Sequence, residues 1–216
     1  MTISLHHIVP VPLKERIEQR QSDIWGQSLH WKKGEWIQIV APSGTGKTTL
    51  VHVLWCLRHD YEGRLQYNGQ DTQSISPGEL ASFRQTQLSV VFQDLRLFPK
   101  LTGWDNIELK RQMSAKPYCS KEEAAMLAEE MGVAKVMHRP ASTCSYGEQQ
   151  RIALVRALVQ PFDWLIMDEP FSHLDQQNRK HASRLIEEAC AARGAGFVLT
   201  DLDGNTTLSC HKTLFL

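Results

Sequence analysis

Short apolar runs alternate along this chain with longer stretches of helix-like periodicity. Residues 36–40 (Trp-Ile-Gln-Ile-Val) and 164–167 (Trp-Leu-Ile-Met) read as buried strands, because a strand covered on both faces loses its apolar–polar alternation. Residues 88–92 (Leu-Ser-Val-Val-Phe) and 196–200 are further strands. A glycine-rich turn follows residue 40 and opens a helix from about Lys47 to Leu57. The pattern is helical from about 104 to 158, clearest at Lys121–Met131 and Glu148–Leu158, and residues 179–193 form an amphipathic helix. Strands that alternate with helices predict an α/β fold with a parallel sheet covered by helices. The helical stretch lies between two strand-bearing halves. The expectation is therefore one domain over 1–216, with a core at about 1–93 and 159–216 and an inserted helical subdomain at about 94–158.

Composition narrows this picture. Hydrophobic residues make up 42%, enough for a real core, and Lys+Arg equals Asp+Glu at 24 each. A formal net charge of zero argues against a nucleic-acid binder held by a basic face, so no nucleic acid is expected as partner. The five cysteines (Cys56, Cys119, Cys144, Cys190, Cys210) include no C-x-x-C pair and read as reduced packing thiols of a cytoplasmic protein. The N-terminus lacks the apolar core of a secretory signal, and no run approaches the roughly 18–20 apolar residues that cross a bilayer. Service at a membrane would need a partner.

Two motifs carry chemistry. The run Ala41-Pro42-Ser43-Gly44-Thr45-Gly46-Lys47-Thr48-Thr49 follows an apolar strand and opens a helix, the context a phosphate loop requires. Glycines at 44 and 46 let backbone N–H groups converge on phosphate oxygens, and the helix N-terminus adds its dipole. Lys47 would bridge the β- and γ-phosphates of ATP, and the Thr48 hydroxyl would ligate Mg²⁺. Ala41 stands where the pattern has glycine; a methyl fits there if φ is negative. An ordinary glycine-rich turn is the plain alternative. The second motif is the strand at 164–167 running into Asp168-Glu169-Pro170. Carboxylates at the carboxyl end of a parallel strand face the ligand crevice. Asp168 would hold Mg²⁺, and Glu169 would act as general base on the attacking water. A solvated Asp-Glu turn is the alternative.

Between the motifs lies Cys144-Ser145-Tyr146-Gly147-Glu148-Gln149-Gln150-Arg151, which resembles the signature of ATP-binding cassette (ABC) proteins, usually Leu-Ser-Gly-Gly-Gln-Gln-Gln-Arg. Ser145, Gly147, Gln149, Gln150 and Arg151 match; Cys144, Tyr146 and Glu148 depart. Gln93 in Val-Val-Phe-Gln-Asp resembles the family's Q-loop glutamine, and Ser172-His173-Leu174-Asp175 resembles its D-loop. Five motifs in the family's order span essentially the whole chain. The stretch Phe92–Thr102 resembles exporters of the lipoprotein-release and macrolide-efflux type and their cell-division relative.

The resemblance implies a phosphate-loop NTPase core with an N-terminal antiparallel β region, and an ATPase that works as a dimer with ATP sandwiched at a two-fold interface. Nucleotide contacts fall on Ala41–Thr49 and, from the other subunit, on Ser145, Gly147 and Glu148. Gln93 joins Thr48 and Asp168 at the metal and Glu169 in catalysis. The helix start at Ser145 offers N–H groups and a dipole to a γ-phosphate, and Ser145 also reads as a simple N-cap. The implied partners are a second copy and an integral-membrane permease, with the chain cytoplasmic and peripheral on the inner face of the membrane. The alternatives are an ATP-gated module with little hydrolysis and a soluble, non-transport cassette.

Two family features are missing. Pro12 stands near the position of the adenine-stacking aromatic; Trp25 is a substitute or a core residue. Asp201 stands where the switch histidine should follow the strand at 196–200. An ionised carboxylate cannot donate to a γ-phosphate. His173 and His211 lie nearby, and each reads more readily as structural or exposed.

Overall fold

The computed structural model describes residues 1–17, 19–113 and 117–216. Residues 114–116 of the expected helical stretch lie outside the described residues. The strands are β1 (Ile3–Pro10), β2 (Ser28–Trp31), β3 (Trp36–Val40), β4 (Tyr61–Tyr67), β5 (Gln70–Asp71), β6 (Leu88–Val91), β7 (Trp164–Asp168), β8 (Gly196–Asp201) and β9 (Lys212–Phe215). The helices are α1 (Lys14–Ile17), α2 (Lys47–Leu54), α3 (Pro77–Thr86), α4 (Gly103–Arg111), α5 (Lys121–Glu130), α6 (Tyr146–Leu158) and α7 (Gln176–Arg193).

Two sheets organise the chain. The parallel sheet runs β6-β7-β8-β3-β9, and the antiparallel sheet runs β2-β1-β4-β5. The expected α/β architecture with an N-terminal antiparallel region is therefore present. β7 and β8 are central, and their apolar residues are fully buried, as continuous apolar runs require. β1 is mixed instead: Ile3, Ser4, Leu5 and Ile8 are buried while His6 and His7 face out, and the register shifts between His6 and Val9. At His7 the backbone is left-handed, φ +49°.

Four helices start on reciprocal caps: Ser76 with Glu79, Thr102 with Asp105, Ser120 with Glu123, and Ser145 with Glu148. Each pair satisfies two N–H groups that a helix start would leave unpaired. α2 ends at Leu54, three residues before the predicted end. Cys56 turns the chain into the left-handed region (φ +53°), and Leu57 N–H bonds back to the His52 carbonyl.

The helices between β6 and β7 share their core with the parallel sheet. Ile107, Ala128 and Met131 belong to one buried cluster with Leu165, Met167 and Phe197. A second cluster joins the two sheets through Trp31, Ile37, Leu50 and Trp164. Each buried Val, Leu or Ile contributes roughly 1.5–3 kcal/mol, well above a surface ion pair at about 0–1 kcal/mol. The cysteines are all free. Burial pushes the Cys190 thiol up to about 12 and the Cys210 thiol up to about 11, which fits packing rather than reactive sulfur.

Candidate functional site

β3 ends against the glycine-rich turn, and the turn feeds α2. Gly44 and Gly46 are left-handed, with φ +78° and +110°. Glycine at 46 is also required by space: a Cβ there would come 2.8 Å from Leu13 Cδ1 and 3.4 Å from the Trp25 ring. Trp25 is 3% exposed, so it is a core residue that floors the loop. Ala41 is not among the left-handed residues, so its methyl is accommodated. Among the described residues, the N–H groups of Ser43, Gly44, Thr45 and Gly46 donate to no protein acceptor, and no side chain caps α2. Unpaired amides at a helix N-terminus form an anion cradle.

Side chains meet in front of that cradle. Lys47 Nζ donates to the carbonyls of Ala41 (2.7 Å) and Pro42 (3.0 Å) and lies 3.3 Å from Glu169 Oε1. The Thr48 hydroxyl donates to Gln93 Oε1 (3.2 Å), and Gln93 Nε2 donates to Glu169 Oε2 (3.5 Å). Ser43, Gly44, Gly46, Lys47, Thr48, Thr49, Gln93 and Glu169, with Leu13, line one cavity of about 220 Å³. Asp168 is buried at the end of β7. Its Oδ1 accepts from the Thr200 hydroxyl of β8 (2.7 Å), while Oδ2 has no protein partner. Glu169 holds a left-handed backbone, φ +47°, and its N–H bonds to the Thr200 carbonyl (3.1 Å). A non-glycine residue in that region is strained, and such strain clusters at functional sites.

The signature residues form the start of α6. Ser145 is its N-cap: Oγ accepts from Glu148 N–H (3.3 Å), and the Glu148 carboxylate accepts from Ser145 N–H (2.7 Å). Ser145, Gly147 and Glu148 do not line the cavity over the phosphate loop. Gly147 packs instead against the segment after the acidic pair. A Cβ on Gly147 would come 3.1 Å from the His173 carbonyl oxygen. Buried Gln150 donates to the Glu169 carbonyl and to Ser172 Oγ, both at 3.3 Å, and accepts from His173 N–H (3.1 Å). Sequence reasoning missed this latch and the Thr200–Asp168 bond. The matched glutamine at 150 was the only available signal for the first; nothing local signals the second.

Asp201 ends β8. Its Oδ1 accepts from Leu202 N–H (2.7 Å), and it shares with Glu169, Ser172 and Arg179 a second cavity of about 140 Å³. His211 is structural: its ring stacks on Trp36 at 5.2 Å, and its Nδ1 accepts from Trp36 N–H (3.1 Å). His173 meets the Tyr146 ring edge-on at 4.3 Å. Pro12 lies exposed in the short helical turn Val11–Leu13, and the Leu13 side chain reaches the loop at Gly46.

Comparison with known proteins agrees with this geometry. A family model described as ABC transporter matches residues 25–172. The chain is 36% identical to a lipoprotein-releasing system ATP-binding protein of Aquifex aeolicus over 190 residues, covering 88% of this chain and 84% of that protein. It is 32% identical over 163 residues to a macrolide export ATP-binding/permease protein of Bdellovibrio bacteriovorus, covering 76% of this chain and 25% of that protein. The chain thus spans about a quarter of the macrolide export relatives it matches. In fold it resembles a bacterial ABC transporter cassette solved as a dimer, with TM-score 0.79, 24% identity, and coverage of 94% of this chain and 89% of that one.

Proposed function

This chain belongs to the ABC transporter family, and on that premise we propose that it binds Mg-ATP on Ala41–Thr49 and hydrolyses it as a homodimer beneath a separate membrane permease. The observation that carries the reading is the mesh of Lys47, Gln93 and Glu169 in front of four unpaired loop amides. An anion held by those amides would draw Lys47 off the Ala41 and Pro42 carbonyls and away from Glu169. Freed of the ammonium, the Glu169 carboxylate can accept a proton from an attacking water. The residues present also fit Mg²⁺. Thr48 Oγ1 and Gln93 Oε1 lie 3.2 Å apart and Asp168 Oδ2 is buried at the end of β7 without a protein partner; all three are hard oxygen donors of the kind Mg²⁺ takes. When bound, the ion would neutralise charge that develops on the phosphates.

The two-fold assembly is supported by what the chain does not place in its own cavity. Ser145, Gly147 and Glu148 stand outside it, as expected if a second copy supplies them to the nucleotide. Solved structures that share its fold include a dimeric cassette and a dimeric post-hydrolysis state bound to ADP and phosphate. The division into a core at about 1–93 and 159–216 and a helical subdomain at about 94–158 belongs to the same reading. So does a cytoplasmic position on the inner face of the membrane. Among the described residues no helix is long and apolar enough to cross a bilayer, and the relatives are named for lipoprotein release and macrolide export.

Glu169→Gln tests this directly. The variant should keep ATP affinity and shift from monomer to dimer in size-exclusion chromatography with Mg-ATP. A variant that binds ATP but stays monomeric contradicts the sandwich. A second reading, an ATP-gated module that closes but barely hydrolyses, is favoured by one observation: Asp201 places a carboxylate in the cavity that Glu169 lines. Measured turnover beside measured affinity separates the two. Co-purification of a permease excludes a soluble, non-transport cassette.

A further inference from the structure

Tyr146 is one of three departures from the family signature and stands where glycine is usual. Its hydroxyl donates to the main-chain carbonyl of Gln93 at 2.9 Å. Gln93 is the residue whose side chain reaches both Thr48 and Glu169. The ring of Tyr146 is fixed against His173, so the hydroxyl is held in place rather than swinging free. A glycine could make neither contact.

The same helix grips the same loop a second time. Arg156, near the other end of α6, donates to the carbonyls of Arg96 (2.6 Å) and Leu95 (2.5 Å). Leu95 and Arg96 are both left-handed, φ +58° and +47°. Two consecutive non-glycine residues in that region cost about 1–3 kcal/mol each and persist only where neighbours hold them. α6 therefore carries the loop at two points, Gln93 and Leu95–Arg96. A displacement of the Gln93 main chain must move α6 or break one of these bonds.

We propose that Tyr146 is a positioning residue that ties the Gln93 loop of one protomer to the first turn of α6, the turn that protomer offers to its partner's nucleotide. This rests on the sandwich dimer proposed above. The sequence of contacts is Thr48 to Gln93 side chain, Gln93 carbonyl to Tyr146, and Tyr146 to the turn capped by Ser145. The state seen here has Gln93 engaged with Thr48 and Glu169. In the proposed nucleotide-bound state the Gln93 main chain shifts as its amide turns to the nucleotide, carrying with it the carbonyl that Tyr146 holds. A ligand that favours one of these states shifts the Ser145 turn by the coupling free energy between the two, and that coupling is reciprocal. Through Tyr146, occupation of one site prepares the serine that completes the other.

Tyr146→Phe removes only the hydroxyl and leaves the ring on His173. Amide hydrogen exchange across residues 146–151 should be measured with and without a saturating non-hydrolysable ATP analogue and Mg²⁺, at dilution where sedimentation shows monomer. In the wild type the nucleotide should change exchange of this turn by at least about threefold. In Tyr146→Phe the change should vanish while analogue affinity by calorimetry stays within about twofold. An equal nucleotide-dependent change in both proteins overturns the proposal, as does no change in the wild type. A merely structural role for the hydroxyl would alter exchange with and without nucleotide alike, and that result also overturns it. Failure of the wild type to bind the analogue at all would instead overturn the ATPase reading, and the coupling with it.

Discussion

The carboxyl ends of β3 and β8 are neighbours in one parallel sheet, with Val40 paired to Asp201, yet one presents loop N–H groups and an ammonium and the other presents carboxylates. After β3, four consecutive loop N–H groups find no protein acceptor, and Lys47 folds back onto the carbonyls of its own loop. After β8, Asp201 is answered by Leu202 N–H, and Asp203 by Asn205 N–H and the Asn205 amide. Consecutive unpaired N–H groups at a helix start form an anion cradle, whereas carboxylates repel an anion, so the β3 end is the one suited to a phosphate. The difference also separates binding from turnover. On the function proposed above, the chain's own phosphate loop is on the β3 side, and the group expected to donate to the phosphate from the β8 side is a carboxylate.

The largest effect should come from breaking the β3 side. Lys47→Ala removes the cation at the loop and should weaken Mg-ATP by at least about 100-fold in a calorimetric titration. Affinity within about twofold of wild type would remove the phosphate-loop assignment. Gly46→Ala should have a smaller effect on the fold. At φ +110°, with Leu13 Cδ1 2.8 Å from the new methyl, it should cost about 1–3 kcal/mol in a denaturant titration. A stability equal to wild type would show that the loop is less constrained than its geometry implies.

Much of this architecture was legible in the sequence for identifiable reasons. β3 lies at the predicted residues because its apolar run is continuous and ends at glycine-rich chemistry. The N-cap at Ser145 follows from a serine three residues before a glutamate. What stayed hidden was either exposed or distant. α3 buries none of its residues, so no apolar stripe marks it. β4 carries Glu62, Gly63 and Arg64 in its exposed middle, which breaks its alternation. Thr200 serves Asp168 only because the two strands put those residues in register. Tyr146 and Gln93 are 53 positions apart, and no local pattern joins them. The site's anion cradle was therefore readable, whereas the contacts that tie the motifs to one another were not.

The comparison of the two strand ends is tested most directly by steady-state phosphate release from wild type and Asp201→His at saturating ATP and equal Mg²⁺. If the β3 end suffices for binding and the β8 end limits turnover, the wild type should be slow and the histidine variant faster at unchanged ATP affinity. The gain should stay well below the roughly 10²–10⁴ that a fully supported donor contributes, because the Leu202 N–H is placed to answer a carboxylate rather than to orient an imidazole. Unchanged or lower turnover in Asp201→His, with its fold intact by circular dichroism, would contradict the account.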